Sequence, residues 1–240
     1  MAIDLGKKIS LVKDVLRTNR LDKKGQVAIV VDISISMRSY FQNGTVQELV
    51  ERALAIGINM DLDEQVDVYL FGHSAHRAAS ATLSNIEGYV NKEILGKYDL
   101  EGGTNYAPVT RMVAQDAGHL DGADGKKNII SRLFSKSKPV RKEPTYVFFV
   151  TDGENHDPQQ MTPLVKELSS KPIFLQFIGI GNASFNYLEK LDEMPGRTVD
   201  NANFFDAGDI ARITDEELYQ RILGELPDWV QEATAKGIIK

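Results

Sequence analysis

The chain has 240 residues, no cysteine, and a formal net charge of −6 from 28 basic and 34 acidic side chains. This excludes a disulfide scaffold, a thiol nucleophile and Cys-ligated zinc or iron–sulfur centres, and it argues against a general nucleic-acid binder, which shows a basic face. No apolar run reaches the roughly 18 residues of a membrane-spanning helix, and the N-terminus MAIDLGKKIS lacks the apolar core of a signal peptide, so a cytoplasmic protein is expected.

Ser10 to Arg17 reads as a short helix within an N-terminal extension, residues 1–24. Val27-Ala28-Ile29-Val30-Val31 is a continuous apolar, mostly β-branched run, the pattern of a strand buried on both faces. Val46 to Met60 carries apolar residues at helical spacing, with Thr45 as its expected N-cap. Val66 to Phe71 is the next strand, ended by Gly72. A tight turn at His73-Ser74-Ala75 then leads to an antiparallel strand over Ala78 to Leu83. Pro108 to Gly118 predicts a helix with Pro108 in its first turn.

Lys126 to Glu143 holds seven basic side chains and one acid, and reads as a basic insertion at about 119–143. Beyond it, strands are expected at Thr145 to Val150, Ile173 to Ile180 and Asn203 to Phe205. Helices are expected at Pro158 to Ser170, Ser184 to Met194 and Thr214 to Leu223, the last with a Thr214/Glu217 capping box. Trp229 is expected to anchor a C-terminal tail. Strands alternating with helices give an α/β fold: one doubly wound, mostly parallel sheet of about six strands with one antiparallel edge strand, and helices on both faces. Residues 25–240 then form a single domain, since no linker divides them.

The chemistry gathers after the buried strands. The first runs into Asp32-Ile33-Ser34-Ile35-Ser36, a later one ends in Thr151-Asp152-Gly153, and between them lies Gly102-Gly103-Thr104-Asn105. Ligands of open α/β sheets sit beyond the carboxyl ends of the strands, where strand order reverses. If the two Asp-bearing strands are neighbours, Asp32 and Asp152 face each other there. Two carboxylates and three hydroxyls form an all-oxygen donor set suited to a hard cation such as Mg2+ (or Mn2+/Ca2+). An open coordination position would accept a carboxylate from another molecule. Gly102-Gly103 would let the Thr104 loop approach the ion.

Asp32-x-Ser34-x-Ser36, Thr104 and Asp152 in their TDG context resemble the metal-ion-dependent adhesion site (MIDAS) of von Willebrand factor A (vWA) domains. The resemblance covers about Gly25 to Leu223. Val46-Gln47-Glu48, Glu51-Arg52, Asp67-Val68 and Gly103-Thr104-Asn105-Tyr106-Ala107-Pro108 are similar to the bacterial tellurite-resistance branch, and copines share a similar TNxAP segment. The resemblance implies that Asp32, Ser34, Ser36, Thr104 and Asp152 hold the metal, some through water. It also implies binding rather than catalysis, with a protein partner offering an Asp or Glu to the ion. One position departs: members with this loop often have Gly where this chain has Ile35. A β-branched residue resists positive φ, so strain or a shifted site is expected if the loop needs that conformation.

Two alternatives stand beside this reading. One is a Mg2+-dependent phosphohydrolase using Asp32 as nucleophile, although the second carboxylate such enzymes need two residues on is Ser34 here. The other is a metal-free scaffold binding through the basic insertion. Gly179-Ile180-Gly181-Asn182 lacks the third glycine of a dinucleotide loop. Asp121 to Gly125 reads as a turn rather than a calcium loop. His73, His76, His119 and His156 lack zinc-ligand spacing, with His156 close enough to Asp152 in sequence to line the rim of the site. The sequence leaves the oligomeric state open, and with no thiol, direct capture of a tellurium species is not expected.

Overall fold

The computed structural model describes residues 5–121 and 143–240. The basic side chains from Lys126 to Lys142, and the Gly122–Gly125 part of the calcium-loop-like stretch, lie outside the described residues. Six strands form one sheet in the order β3-β2-β1-β4-β5-β6. They are β1 (Gln26–Asp32), β2 (Asp67–Phe71), β3 (Ala75–Arg77), β4 (Thr145–Thr151), β5 (Ile173–Ile180) and β6 (Ala202–Gly208). All neighbours pair in parallel except β2 and β3. The chain fills the β1-β2-β3 side first, then crosses to β4 on the other side of β1, so the reversal of strand order falls between β1 and β4.

The central β1 and β4 read as near-continuous apolar runs because each face has its own core. Val27, Ile29 and Val31 enter one cluster with Tyr146, Phe148 and Val150. Ala28 and Val30 enter the other with Val147 and Phe149. The first face is covered by α1 (Leu5–Thr18), α3 (Thr45–Met60), α7 (Asp215–Leu223) and α8 (Leu226–Ala235). The second is covered by α4 (Tyr106–Asp116), α5 (Pro158–Leu168) and α6 (Asn186–Asp192). The short α2 (Arg38–Gln42) follows a 3-10 turn at Ile35–Met37. Each fully buried Val, Ile or Phe contributes about 1.5–3 kcal/mol, and the one polar side chain inside β5, the buried Gln176, accepts a hydrogen bond from Asn203 Nδ2 at 3.0 Å.

Several elements differ from expectation. The antiparallel strand lies at Ala75–Arg77 rather than Ala78–Leu83. The reversal is tighter, closed by Gly72 N–H donating to Ser74 O at 3.0 Å. The later residues follow more loosely, through Ala78 N–H donating to Val68 O at 2.9 Å and an isolated Val66/Ala81 bridge, and Leu83 is exposed. The cap of α3 is Gly44, with φ of +86°, and Thr45 is its first helical residue; a left-handed cap suits glycine. The helix α1 is longer than its apolar positions indicate, and buries Val12, Val15 and Leu16. The C-terminal stretch is a helix, with Trp229 buried against Tyr146 at 5.9 Å and Phe174 at 5.4 Å between ring centroids. At α7, Thr214 caps as expected: its hydroxyl accepts the Glu217 N–H at 3.2 Å.

Candidate functional site

The adjacency of β1 and β4 brings Asp32 and Asp152 to the same carboxyl edge of the sheet. Asp32 is fully buried at the end of β1. Its Oδ1 accepts the Ser34 N–H at 2.7 Å and its Oδ2 accepts the Thr151 hydroxyl at 2.8 Å. Beyond it the hydroxyls of Ser34 and Ser36 lie 2.9 Å apart, and the Ser36 hydroxyl donates to Asp152 Oδ1 at 2.8 Å. Ser34, Ser36 and Asp152 thus form one connected string of side-chain oxygens, which Asp32 joins through the Ser34 N–H. Thr104 joins from the third loop. Its hydroxyl donates to Glu154 O at 2.7 Å, and its carbonyl accepts the His156 N–H at 2.9 Å.

The loops are held by neighbours on both sides. The segment at Glu101 docks alongside the exit of β1: Glu101 N–H donates to Ile33 O at 2.8 Å, and Ile35 N–H donates to Glu101 O at 2.9 Å. Glu101 is itself fixed by His76 Nε2 at 2.6 Å and by the Ser74 N–H at 2.7 Å. Those contacts hold its carboxyl below the ordinary range, against the opposing effect of burial. Gly103 takes φ of +83° between His73 and His156, the left-handed turn that glycine supplies without strain. Ile35 sits in the 3-10 turn, and among the described residues only Arg20 and Glu64 are non-glycine with positive φ. The strain expected at Ile35 is therefore absent; its side chain simply points outward, 57% exposed.

Asp157, Tyr106 and Thr151 complete the frame and were not visible as site residues in the sequence. The buried Asp157 carboxylate accepts the N–H groups of Tyr106 and Ala107 at 2.9 and 3.1 Å, capping the start of α4 immediately after the Thr104 loop. The Tyr106 hydroxyl donates to Gly153 O at 2.6 Å, and its ring packs on Phe71 and Phe149 at 5.4 and 4.9 Å. Asp157 precedes Pro158 and so signals only the start of α5 in sequence; its use on α4 is a tertiary contact that no local spacing encodes. His156 reaches the Thr104 N–H with Nδ1 at 3.3 Å, which places it on the Thr104 loop. Gly181, with φ of +86°, lies against the Tyr40 hydroxyl, so that glycine makes room for a tyrosine rather than for a dinucleotide.

Burial pushes the Asp32 carboxyl up to about 6; hydrogen bonds from Ser34 and Thr151 oppose this, and the nearby Asp152 charge adds to it. Burial also raises Asp152, against the Ser36 hydrogen bond. A desolvated carboxylate pair favours a compensating positive charge, and the strongest influences on either group include no basic side chain. Among the described residues no three His, Asp or Glu side chains group as a ligand set, so a cation here would rely on hydroxyls and water beside the two carboxylates. That donor set is all oxygen and fits a hard divalent ion such as Mg2+, which retains waters when few carboxylates bind it.

Residues 24–239 match the family described as the vWA domain found in the TerF C terminus. The chain is 36% identical to the uncharacterized protein YcbR of Bacillus subtilis (strain 168), over 99% of this chain and 90% of that one. Solved structures of similar fold include proximal thread matrix protein 1 from the mussel byssus with a zinc-occupied MIDAS motif, at 13% identity and TM-score 0.49 over 86% of this chain and 46% of that one. Another is the ArnB paralog VWA2 from Sulfolobus acidocaldarius, at 14% identity and TM-score 0.40 over 85% of this chain and 45% of that one. The chain spans less than half the length of those solved chains. No helix among the described residues is long and apolar enough to cross a membrane.

Proposed function

Because the chain belongs to the family of vWA domains found in the TerF C terminus, we propose that it is a non-catalytic, divalent-cation-dependent protein-binding module acting in a bacterial stress or tellurite-resistance system. Asp32, Ser34, Ser36, Thr104 and Asp152 would hold Mg2+ or a similar hard cation, some of them through water. A partner's Asp or Glu would complete its coordination. The observation that carries this reading is the desolvated Asp32/Asp152 pair, ringed by hydroxyls at the point where strand order reverses.

The absence of a second carboxylate two residues after Asp32, where Ser34 stands, speaks against a phosphohydrolase with Asp32 as nucleophile, since such an enzyme needs that group as general acid. Any role in tellurite resistance would be indirect, because a chain without thiols offers no soft ligand to tellurium.

Calorimetric titration with Mg2+ and Mn2+ tests the proposal. The wild type binds, and Asp152→Ala loses about tenfold or more in affinity. Equal binding by both would overturn the site assignment. Magnesium-dependent phosphatase turnover that Asp32→Asn abolishes would overturn the non-catalytic reading.

A further inference from the structure

Between the two candidate serines the chain exposes an isoleucine, and the surface beside it is not blank. Ile35 is bonded through its N–H to Glu101 O at 2.9 Å, so the chain leading into Glu101 runs next to the site. There a groove of about 330 Å³ opens, lined by Arg38, Leu95, Tyr98 and Leu100 over the buried Phe41. Leu95 is 39% exposed. An apolar patch rimmed by polar residues marks an interaction site where side chains group together, as Leu95, Tyr98 and Leu100 do here. Arg38 follows Ser36 by two residues, and its guanidinium forms no ion pair among the described residues. Asp99 also lines the groove, so its charge is mixed rather than acid-repelling.

We propose that this groove and Ile35 seat a bulky apolar side chain of the same partner segment that brings the carboxylate to the site, with Arg38 placed to meet a further acidic group. The partner is then a peptide segment of acidic-plus-apolar type. Charge selects it, because both the cation site and Arg38, which forms no ion pair among the described residues, call for acid, and the apolar lining beside Arg38 calls for hydrocarbon. An extended peptide advances about 3.3 Å per residue, so four residues reach about 13 Å, and the apolar residue is expected within four positions of the acid. This inference rests on the metal-bridged reading above and adds the specificity that the five oxygen ligands lack.

The test is selection of random displayed peptides on the full chain in Mg2+, with elution by EDTA. Enriched peptides are expected to carry Asp or Glu with Leu, Ile, Phe, Met or Trp within four positions. A synthetic peptide of the enriched sequence should bind Leu95→Ser about tenfold more weakly than wild type. Mg2+ affinity, measured alongside, should hold in that variant. Enrichment for acid without an apolar preference, or no enrichment, overturns this inference and leaves metal binding standing. Enriched peptides that EDTA does not release overturn the metal-bridged reading itself. Dimerisation in sedimentation that Leu95→Ser abolishes would assign the groove to a second copy of the chain, and would also overturn the proposal.

Discussion

Two groups of carboxylates occupy opposite edges of the sheet, and only one has the makings of a binding site. At the carboxyl ends of β1 and β4, Asp32 and Asp152 share three hydroxyls and the strongest influences on them include no cation. At the amino end of β6, Asp192, Asp200, Glu225 and Asp228 gather around Arg197, and burial raises the first three. Arg197 pairs with Asp200 at 2.6 Å and spends its other donors on the carbonyls of Met194, Ala202 and Asp192. Raised carboxyl groups therefore do not by themselves define a site in this molecule. What separates the two regions is donor type and charge balance: neutral hydroxyls around one pair, a resident guanidinium within the other.

The largest effect expected from that difference is a thermal shift with Mg2+ or Mn2+. At a hundredfold excess over Kd, binding to the native state adds about 2.7 kcal/mol. Wild type should gain several degrees, Asp32→Asn and Asp152→Ala should gain little, and Asp200→Asn should respond like wild type. Differential scanning fluorimetry reads this directly. A response lost in Asp200→Asn but kept in Asp152→Ala would invert the comparison and place the ion at the other edge.

Asp157 sharpens the same contrast at a smaller scale, because it is a buried carboxylate that serves the backbone. Asp157→Ala leaves the N–H groups of Tyr106 and Ala107 without their acceptor, a loss of about 1–3 kcal/mol in urea unfolding. It should also weaken Mg2+ binding through the Thr104 loop. Asp157→Asn, which keeps an acceptor oxygen, should recover part of both. If the alanine variant lost stability but bound Mg2+ as wild type does, Asp157 would be a helix cap with no bearing on the site.

The difference between what the sequence revealed and what it hid follows from range. Val27 to Val31 and Tyr146 to Val150 are short apolar runs rich in β-branched and aromatic residues, and that length and composition point to central strands. The candidate ligands follow those strands, so Asp32, Ser34, Ser36 and Asp152 stand out once the strands are placed. Residues acting across the chain leave no such trace. Glu101 binds His76 of β3, 25 residues away, and Asp157 caps a helix 51 residues earlier through Tyr106; Trp229 was legible as an anchor, but its partners Tyr146 and Phe174 were not. Ile35 erred in the other direction: identity alone suggested strain, but a 3-10 turn lets a β-branched residue stay at ordinary φ while the loop still turns. Local conformation, not residue type, decides the cost.

The smallest effect belongs to the amino-end cluster, and its sign is fixed. Glu225 is pushed up to about 7, first by burial and then by Asp192, Asp200 and Asp228, with Arg197 opposing. A carboxyl that holds its proton more tightly when folded than when unfolded lowers stability as pH rises from its unfolded value near 4.5 through about 7. Above that range the folded chain carries a charge it disfavours; below it the penalty vanishes. Glu225 retains exposed surface, so water screens much of the effect, and it should amount to less than about 1 kcal/mol. Glu225→Gln should therefore match wild type at pH 5 and exceed it slightly at pH 8 in urea unfolding, with Mg2+ response unchanged at both. A variant equally stable at both pH values relative to wild type would show that Arg197 already neutralises the cluster, leaving the sheet's two edges even more sharply divided in charge.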